Sequence, residues 1–200
     1  MIYVCDNFFN DPYTIRNIAL KSKYESDSEG RWPGMRSVIE SQNIIDRIVS
    51  EVHLLTKNTS LKLRKNDCFF QYVTKDYGEG VFHQDDVDYT CIVFLGLHTP
   101  SYSGTEVCDE MINVFGPKSL WDKQIRLKKD FYKHPKSFLK SYKYGRISKR
   151  VNTYFNPIAK IPNKFNRILL FNAKLSHRAQ KFYGTSIKNS RLTLVSSYLK

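Results

Sequence analysis

His83 and Asp85, in the middle of the chain, have the types and the spacing of metal ligands. They follow a glycine-broken turn between two strand-like apolar runs, residues 68–73 and 89–95. Side chains two residues apart on a strand point to the same face, so the imidazole and the carboxylate are expected to point the same way. They would supply two of the three ligands of a non-haem Fe(II) site built from two histidines and one carboxylate. A solvated loop with a chance His-x-Asp is the alternative.

The third ligand of such a site could come from His177. This histidine follows a strongly apolar run, residues 167–171, and a short turn. We expect it to lie on a strand next to the one that carries His83 and Asp85. The alternative is a histidine at a strand edge that has no role in binding.

Arg191 opens the apolar stretch near the end of the chain, residues 192–199. Strand alternation puts Thr193 on the same face and Leu192 and Leu194 on the other. A guanidinium that points into the interior needs an anion, because an unpaired buried charge is costly. A dicarboxylate would satisfy it through paired hydrogen bonds, and the threonine hydroxyl would add another. The charges of Fe(II), one ligating carboxylate, a 2-oxoglutarate dianion and the Arg191 guanidinium would together sum to zero.

Five sites along the chain occur in a recognisable order. They are Tyr72, His83-x-Asp85, Gly104-Thr105, His177 and Arg191-x-Thr193. This order resembles that of the Fe(II)- and 2-oxoglutarate-dependent dioxygenases, and within them the prolyl-4-hydroxylase-like branch. The N-terminal stretch DNFFNDPYTIRNIAL, followed by RWPGMRS, is similar to a small, little-characterised subgroup of that superfamily. The resemblance therefore covers most of the chain.

The resemblance assigns roles to the residues of these sites. The iron ligands that it implies are His83, Asp85 and His177. The residues that it implies for the distal carboxylate of 2-oxoglutarate are Arg191 and Thr193. Tyr72 would hydrogen-bond the same co-substrate, unless it is an ordinary core tyrosine.

The implied activity is hydroxylation of an unidentified substrate by O2, coupled to oxidative decarboxylation of 2-oxoglutarate to succinate and CO2. Two other functions stay open: a jelly-roll protein that binds a ligand or metal without turnover, and a nucleic-acid-binding protein that acts through a basic segment. The strand after Arg191 lacks the second arginine that is typical of the nucleic-acid demethylase branch. That absence counts against base demethylation.

The elements that would position these residues are a short strand or extended stretch within 2–9, two helices and then a series of strands. Asp11-Pro12 supplies an N-cap and a first-turn proline for a helix over 12–22, and apolar residues recur at helical spacing over 41–57. Strands are predicted over 68–73, 89–95, 105–108, 151–155, 167–171, 177–181 and 192–199. The predicted fold class is mainly β with flanking helices: a double-stranded β-helix (jelly-roll or cupin-like) core with N-terminal helices packed on one sheet.

The composition predicts one domain over residues 1–200, because 41% of the residues are hydrophobic and 14% are aromatic. No run of roughly eighteen apolar residues occurs, and the N-terminus lacks a basic region followed by an apolar stretch, so neither a membrane span nor a signal peptide is indicated. The four cysteines are far apart and form no Cys-x-x-Cys, which favours free thiols. We therefore expect a cytoplasmic protein, with its oligomeric state left open.

Most of the net charge of +13 lies in one basic segment, residues 118–150, which has twelve Lys or Arg and two Asp. We interpret it as an insertion over the mouth of the barrel that could bring an acidic protein or a nucleic acid to the iron. Its aromatic residues could stack on bases or could pack the segment onto the domain. A solvated surface is the alternative, since charge runs often serve solubility.

Overall fold

Residues 1–108 and 118–200 are described by a computed structural model. The strands are β1 (Ile2–Cys5), β2 (Glu25–Ser26), β3 (Met35–Val38), β4 (Lys62–Val73), β5 (Tyr89–Phe94), β6 (Thr105–Cys108), β7 (Pro157–Ile161), β8 (Arg167–Asn172), β9 (His177–Ala179) and β10 (Arg191–Leu199). The helices are α1 (Pro12–Lys21), α2 (Gln42–Thr56), α3 (Lys118–Lys133) and α4 (Phe138–Asn152), with a 3-10 turn at Lys75–Tyr77. None of the helices in these two ranges is long and apolar enough to cross a membrane.

The strands form two antiparallel sheets that pack face to face. The larger sheet has seven strands in the order β1-β8-β5-β10-β4-β3-β2, and the smaller sheet has three in the order β7-β6-β9. Strand β10 lies at the centre of the larger sheet, where it pairs with β4 on one side and β5 on the other. Two facing sheets of short antiparallel strands are typical of a jelly-roll core. The predicted fold class, mainly β with flanking helices, is confirmed.

One face of the larger sheet packs against α1 and α2. Leu192 and Leu194 of β10 share a core cluster with Ile44, Ile48 and Val52 of α2. The three α2 residues are four apart, so they form one stripe along the helix. This stripe is the signal that predicted a helix over 41–57, and α2 occupies all but the ends of that range.

A buried arginine ties α1 to the larger sheet. Arg16 is 5% exposed, and its guanidinium donates hydrogen bonds to the carbonyl oxygen of Leu95 at 2.7 Å and to that of Lys188 at 2.8 Å. Leu95 directly follows β5, and Lys188 lies in the loop that leads into β10. The arginine therefore holds together the ends of the two central strands.

The other face of the larger sheet looks onto the smaller sheet. Phe94 of β5 and Phe171 of β8 pack against Val107 of β6 and Ile161 of β7. Because side chains alternate along β10, Arg191 points to this face while its leucine neighbours point to the helices. The space between the sheets is therefore where the predicted site residues can meet.

The predicted strand over 151–155 is wrong. Helix α4 continues to Asn152, and the next strand, β7, begins at Pro157. The buried residues of α4 are Tyr144, Ser148 and Val151. Their spacing of four and three residues is helical, so one face of the helix packs inward and overrides the strand propensity of its last residues. The strand predicted over 177–181 is shorter than expected and ends at Ala179.

The basic segment folds mainly as the helices α3 and α4. Three of its aromatic residues are buried against the domain, namely Phe131, Tyr132 and Tyr144. They share a cluster with Val73 of β4 and with Phe182. Phe138 and Tyr142 are exposed, and their rings stack on each other at the surface with 6.2 Å between centroids. The sequence left open whether these aromatic residues stack on bases or pack the segment onto the domain. Packing onto the domain is confirmed for the three buried ones.

Replacing Arg16 by alanine should lower the free energy of unfolding by about 3 kcal/mol, because two hydrogen bonds from a charged donor are lost and the buried carbonyl group of Leu95 loses its partner. Arg150→Ala is the matched control, since Arg150 is exposed on α4 and its side chain forms no hydrogen bond or ion pair with a described residue, so its loss should cost less than about 1 kcal/mol. Urea unfolding followed by circular dichroism measures both values. Equal losses in the two variants would contradict the tether.

Candidate active site

Three candidate ligands meet between the two sheets. Nε2 of His83 lies 3.5 Å from Oδ1 of Asp85, and Nε2 of His177 lies 3.3 Å from Oδ2 of the same carboxylate. The candidate ligand atoms of the three residues all lie within 4.8 Å of one another. Only 6% of the His177 side chain is exposed, whereas 52% of the His83 side chain is open. The structure thus brings together the three residues that the sequence singled out for iron.

Main-chain hydrogen bonds set the spacing of these ligands. The N–H of His83 donates to the carbonyl oxygen of His177 at 3.0 Å, and the N–H of His177 donates back at 2.9 Å. The N–H of Asp85 donates to the carbonyl oxygen of Ala173, also at 3.0 Å. The stretch that carries His83 and Asp85 therefore runs antiparallel to the start of β9, as the sequence analysis expected for neighbouring strands.

Both histidines present the same ring nitrogen to Asp85. Nδ1 of His83 lies 2.7 Å from the carbonyl oxygen of Val81, and Nδ1 of His177 lies 2.9 Å from that of Leu175. A carbonyl oxygen can only accept, so Nδ1 carries the proton in each ring and the lone pair of Nε2 is free. Such a bond from the second ring nitrogen to a backbone carbonyl is typical of histidines that bind metals.

The protonation states also suit a cation. Burial raises the pKa of Asp85, but the nearby rings of His177 and His83 and the hydroxyl of Thr90 outweigh it and hold the pKa below its ordinary value. Thr90 supports the anion, since its hydroxyl donates to Oδ2 at 2.8 Å. The pKa of His83 is lowered, first by the partial desolvation of its ring at the cavity and then by the nearby His177. At neutral pH Asp85 is therefore an anion and His83 is neutral, as metal binding requires.

The strand that carries His177 is fixed from its other side. The next residue, Arg178, donates from Nε to Glu106 at 2.7 Å and from a terminal nitrogen to Glu79 at 3.2 Å. Glu106 is 5% exposed and lies on β6, the neighbour of β9. Burial raises the pKa of Glu106, but Arg178 outweighs it, so the pKa is lowered and the pair stays ionised. This ion pair joins β6 to β9 and so fixes the direction in which His177 points.

A cavity of about 470 Å³ adjoins the three ligands, and Arg191 lines it. Arg191 is 4% exposed, and its Nε has no hydrogen-bond partner among the described residues. One terminal nitrogen lies 3.4 Å from Oγ1 of Thr105, which is a long and neutral contact. Burial lowers the pKa of Arg191 to about 10, so the guanidinium keeps its charge at neutral pH. The cavity wall therefore contains a buried cation that no carboxylate in the described part of the chain neutralises.

Thr193 shares a face of β10 with Arg191, as alternation predicted, but it does not line the cavity. Its side chain is fully buried, and its hydroxyl lies 3.4 Å from the carbonyl oxygen of Gln71. Its role toward a co-substrate stays a prediction.

The predicted contact between Tyr72 and a co-substrate is wrong. Tyr72 pairs with Leu192 across β4 and β10, so its side chain lies on the helix face of the larger sheet. There its ring packs edge-on against Tyr24, with 5.0 Å between centroids. Its neighbours Gln71 and Val73 line the cavity instead.

The structure adds residues that the sequence analysis did not single out. Thr90 orients the carboxylate of Asp85. Trp32 and Arg36, from the loop before β3 and from β3 itself, line the cavity together with Lys128 of α3. The first two belong to the RWPGMRS stretch, which the sequence analysis singled out for its resemblance, and the third belongs to the basic segment, which it singled out for its charge. Nothing in the sequence shows that the two regions meet.

The fold is similar to several solved structures of low sequence identity. HygX from Streptomyces hygroscopicus, with nickel and 2-oxoglutarate bound, has a TM-score of 0.60 and 13% identity, over 98% of this chain and 82% of that one. A 2OG-Fe(II) oxygenase family oxidoreductase from Burkholderia pseudomallei has a TM-score of 0.57 and 12% identity, over 99% and 84%. A prolyl 4-hydroxylase from Phytophthora capsici has a TM-score of 0.52 and 12% identity, over 98% and 58%. The fold is that of the Fe(II)- and 2-oxoglutarate-dependent oxygenases, as the resemblance implied.

No curated protein matches the sequence significantly. One family model does match, and it covers residues 1–196, nearly the whole chain. The chain therefore belongs to the family described as "Family of unknown function (DUF6445)".

Proposed function

We propose that the protein is an Fe(II)- and 2-oxoglutarate-dependent oxygenase that hydroxylates its substrate. The observation that carries the proposal is the meeting of two features in one cavity: a His-Asp-His set with matched ring nitrogens, and a buried arginine that has no anionic partner among the described residues. The similar fold of HygX, a protein solved with nickel and with iron as well as with 2-oxoglutarate, supports both groups.

The residues present fit a divalent iron site. His83 and His177 would offer neutral imidazole nitrogens, and Asp85 would offer a carboxylate oxygen. Two histidines and one carboxylate are the donor set of non-haem Fe(II) oxygenases. They bind one side of the metal and leave its other coordination positions open. The cavity adjoins the open side of His83.

The same cavity fits a dicarboxylate co-substrate. Arg191 would donate paired hydrogen bonds to the carboxylate of 2-oxoglutarate that lies far from the metal. This contact would neutralise the buried guanidinium, which otherwise carries a large desolvation cost. Thr105, already within 3.4 Å of the guanidinium, is a second possible donor to that carboxylate.

When bound, Fe(II) and 2-oxoglutarate supply the oxidising chemistry, in which decarboxylation to succinate and CO2 is coupled to hydroxylation of a C–H bond. The chain itself binds the metal through three side chains and orients the co-substrate through Arg191. Apolar side chains on the cavity wall keep water away from the reacting atoms, and they include Phe69, Val73, Ile92 and Phe182. These tasks of positioning and exclusion are what the protein contributes to a cofactor-driven reaction.

Replacing any one of His83, Asp85 and His177 by alanine should abolish Fe(II) binding and uncoupled succinate formation, because the remaining ligands hold the ion too weakly. Asp46→Ala is the matched control, since that carboxylate is exposed on α2, accepts a hydrogen bond from Gln42 and does not line the cavity. Anaerobic titration with Fe(II) and 2-oxoglutarate, followed by the visible charge-transfer band, reports binding, and a succinate assay reports turnover. A ligand variant that keeps wild-type turnover would exclude that residue from the site. A wild-type protein that gives the band but no succinate with any substrate would be a binding protein rather than an oxygenase.

Arg191→Lys should weaken 2-oxoglutarate binding roughly ten- to hundredfold, because the loss of a paired, charge-assisted contact costs about 1.5 to 3 kcal/mol. Fe(II) affinity should stay close to that of the wild type, since Arg191 contacts none of the three ligands. Arg167→Lys is the control, because Arg167 pairs with Asp6 outside the cavity. The same anaerobic titration measures both affinities. Equal 2-oxoglutarate affinity in the wild type and Arg191→Lys would refute the assignment.

A further inference from the structure

The cavity contains more positive charge than iron and 2-oxoglutarate require. Its basic lining residues are Arg31, Arg36, Arg64, Lys128 and Arg191, and its acidic ones are Asp67, Asp85 and Asp86. The two charges of Fe(II) cancel the two of 2-oxoglutarate, so an excess of two positive charges remains on the wall when both are bound. A cavity of one sign attracts ligands of the opposite sign.

Arg36 is one of the positively charged residues of the cavity wall, and its neighbours hold its side chain in place. Its guanidinium carbon lies 4.3 Å from the ring centroid of Trp32 and 4.1 Å from that of Phe69, so aromatic rings cover it. Its Nε is buried without a partner among the described residues, and its terminal nitrogens donate to none of them. Asp67 and Asp85 are close enough to favour its charge, but neither forms an ion pair with it. The free edge of the guanidinium is left for a ligand.

Lys128 lies on the same cavity from the side of α3. Its Nζ is 5.9 Å from the ring centroid of the buried Tyr132, and it has no ion-pair partner in the described part of the chain. Burial, followed by the neighbouring Lys129, lowers the pKa of this amine. It is therefore a partly desolvated cation, and a bound anion would stabilise it.

Close backbone contact holds α3 against the loop that leads to Trp32. Gly30 in this loop has φ of 67°, and a Cβ there would lie 2.3 Å from the carbonyl oxygen of Lys129. Only glycine fits such a contact and such a backbone angle. The ring of Trp32 is close to the guanidinium groups of both Arg36 and Arg31, and Arg31 is already paired with Asp27. This loop, β3 and α3 form one rim of the cavity, and among the described residues of that rim Arg36 and Lys128 are the cations without a carboxylate partner.

We infer that the substrate carries an oxyanion, a phosphate or a carboxylate, which Arg36 and Lys128 bind while Arg191 holds the co-substrate. That the bound anion is the substrate rests on the proposed function, whereas the presence of the anion-binding site does not. The planar edge of Arg36 suits an oxyanion, to which it can donate two parallel hydrogen bonds. The cavity of about 470 Å³ has the size of a small-molecule pocket, so it fits a small anionic molecule or one anionic group of a larger one. The exposed charges of α3 and α4 would steer such a ligand toward the rim.

The test uses Trp32 as a reporter of the rim. The chain has two tryptophans, and Trp121→Phe leaves Trp32 as the only one. Titration of this variant at low ionic strength with inorganic phosphate, and separately with acetate, should change the Trp32 fluorescence with saturation for at least one of the two. The anion that binds more tightly identifies the group that the site recognises. Absence of a saturable change with both anions would overturn the inference.

Charge-removing variants locate the binding. In the same background, Arg36→Gln and Lys128→Gln should each weaken the tighter anion about tenfold, as expected for the loss of a hydrogen bond to a charged group. Arg146→Gln, which removes an exposed arginine from α4, should change it less than about twofold. An equal effect of all three variants would show general attraction to a basic surface and would overturn the site. Calorimetric titration of the same variants measures the anion affinity without fluorescence, and so checks that a smaller fluorescence change reflects weaker binding rather than an altered emission of Trp32.

A last titration separates the rim from the co-substrate site. With Ni(II) and 2-oxoglutarate both present at saturation, the anion should still bind at the rim within about threefold of its original affinity, because Arg191 and not Arg36 holds 2-oxoglutarate. Displacement of the anion by 2-oxoglutarate would assign Arg36 to the co-substrate and overturn the inference. Anion binding needs no turnover, so a failure here leaves the oxygenase proposal intact, and a protein without turnover can still show the anion site.

Discussion

The two-residue alternation of side chains along β10 is the constraint on which the rest of the structure depends. This central strand has hydrogen-bonded partners on both sides, so its register fixes those of β4 and β5 as well. Leu192 and Leu194 enter the core below α2, whereas Arg191 enters the cavity. A slip of one residue would put the leucines into the cavity and a guanidinium into the hydrophobic core. The core and the site are therefore specified by the same pairing.

The charged side chains of the cavity wall are not neutralised by the described protein groups alone. Asp85 is held as an anion by the groups around it, yet the nearby His83 stays neutral at pH 7. Arg191 and Arg36 keep their charges although each has a buried Nε without a partner among the described residues. Buried charges are normally paired, because desolvation costs several kcal/mol for each ion. In this wall Asp85, Arg36 and Arg191 face the cavity rather than a residue of opposite charge in the described part of the chain, so the stability and the function of the site both depend on what binds there.

Much of the site could be predicted because metal and anion binding limit the residue types that can do the work. A His-x-Asp pair, a histidine after a later strand and an arginine in an apolar strand were enough to single out His83, Asp85, His177 and Arg191. Tyr72 shows where such prediction fails. Alternation from Leu192 would have placed it on the helix face, but only once the pairing of Leu192 with Tyr72 is known, and strand register is a long-range property. The strand predicted over 151–155 failed for a similar reason, since burial of one helix face outweighed local propensity.

The rim could not be predicted because its members come from distant parts of the chain. Arg36 and Lys128 line one cavity because α3 is held in place by the close contact between Gly30 and Lys129 and by the burial of Phe131, Tyr132 and Tyr144 against the domain. The aromatic residues that fix the basic helices are thus separate from the charged residues that face the cavity and the solvent. Surface charges can therefore change without loss of the packing that holds α3 in place, and the His-Asp-His ligands stay unaffected, because main-chain bonds to His177 and Ala173 fix their spacing. A fold arranged in this way can alter the ligand that it selects while it keeps its metal chemistry, because selection and chemistry depend on different contacts.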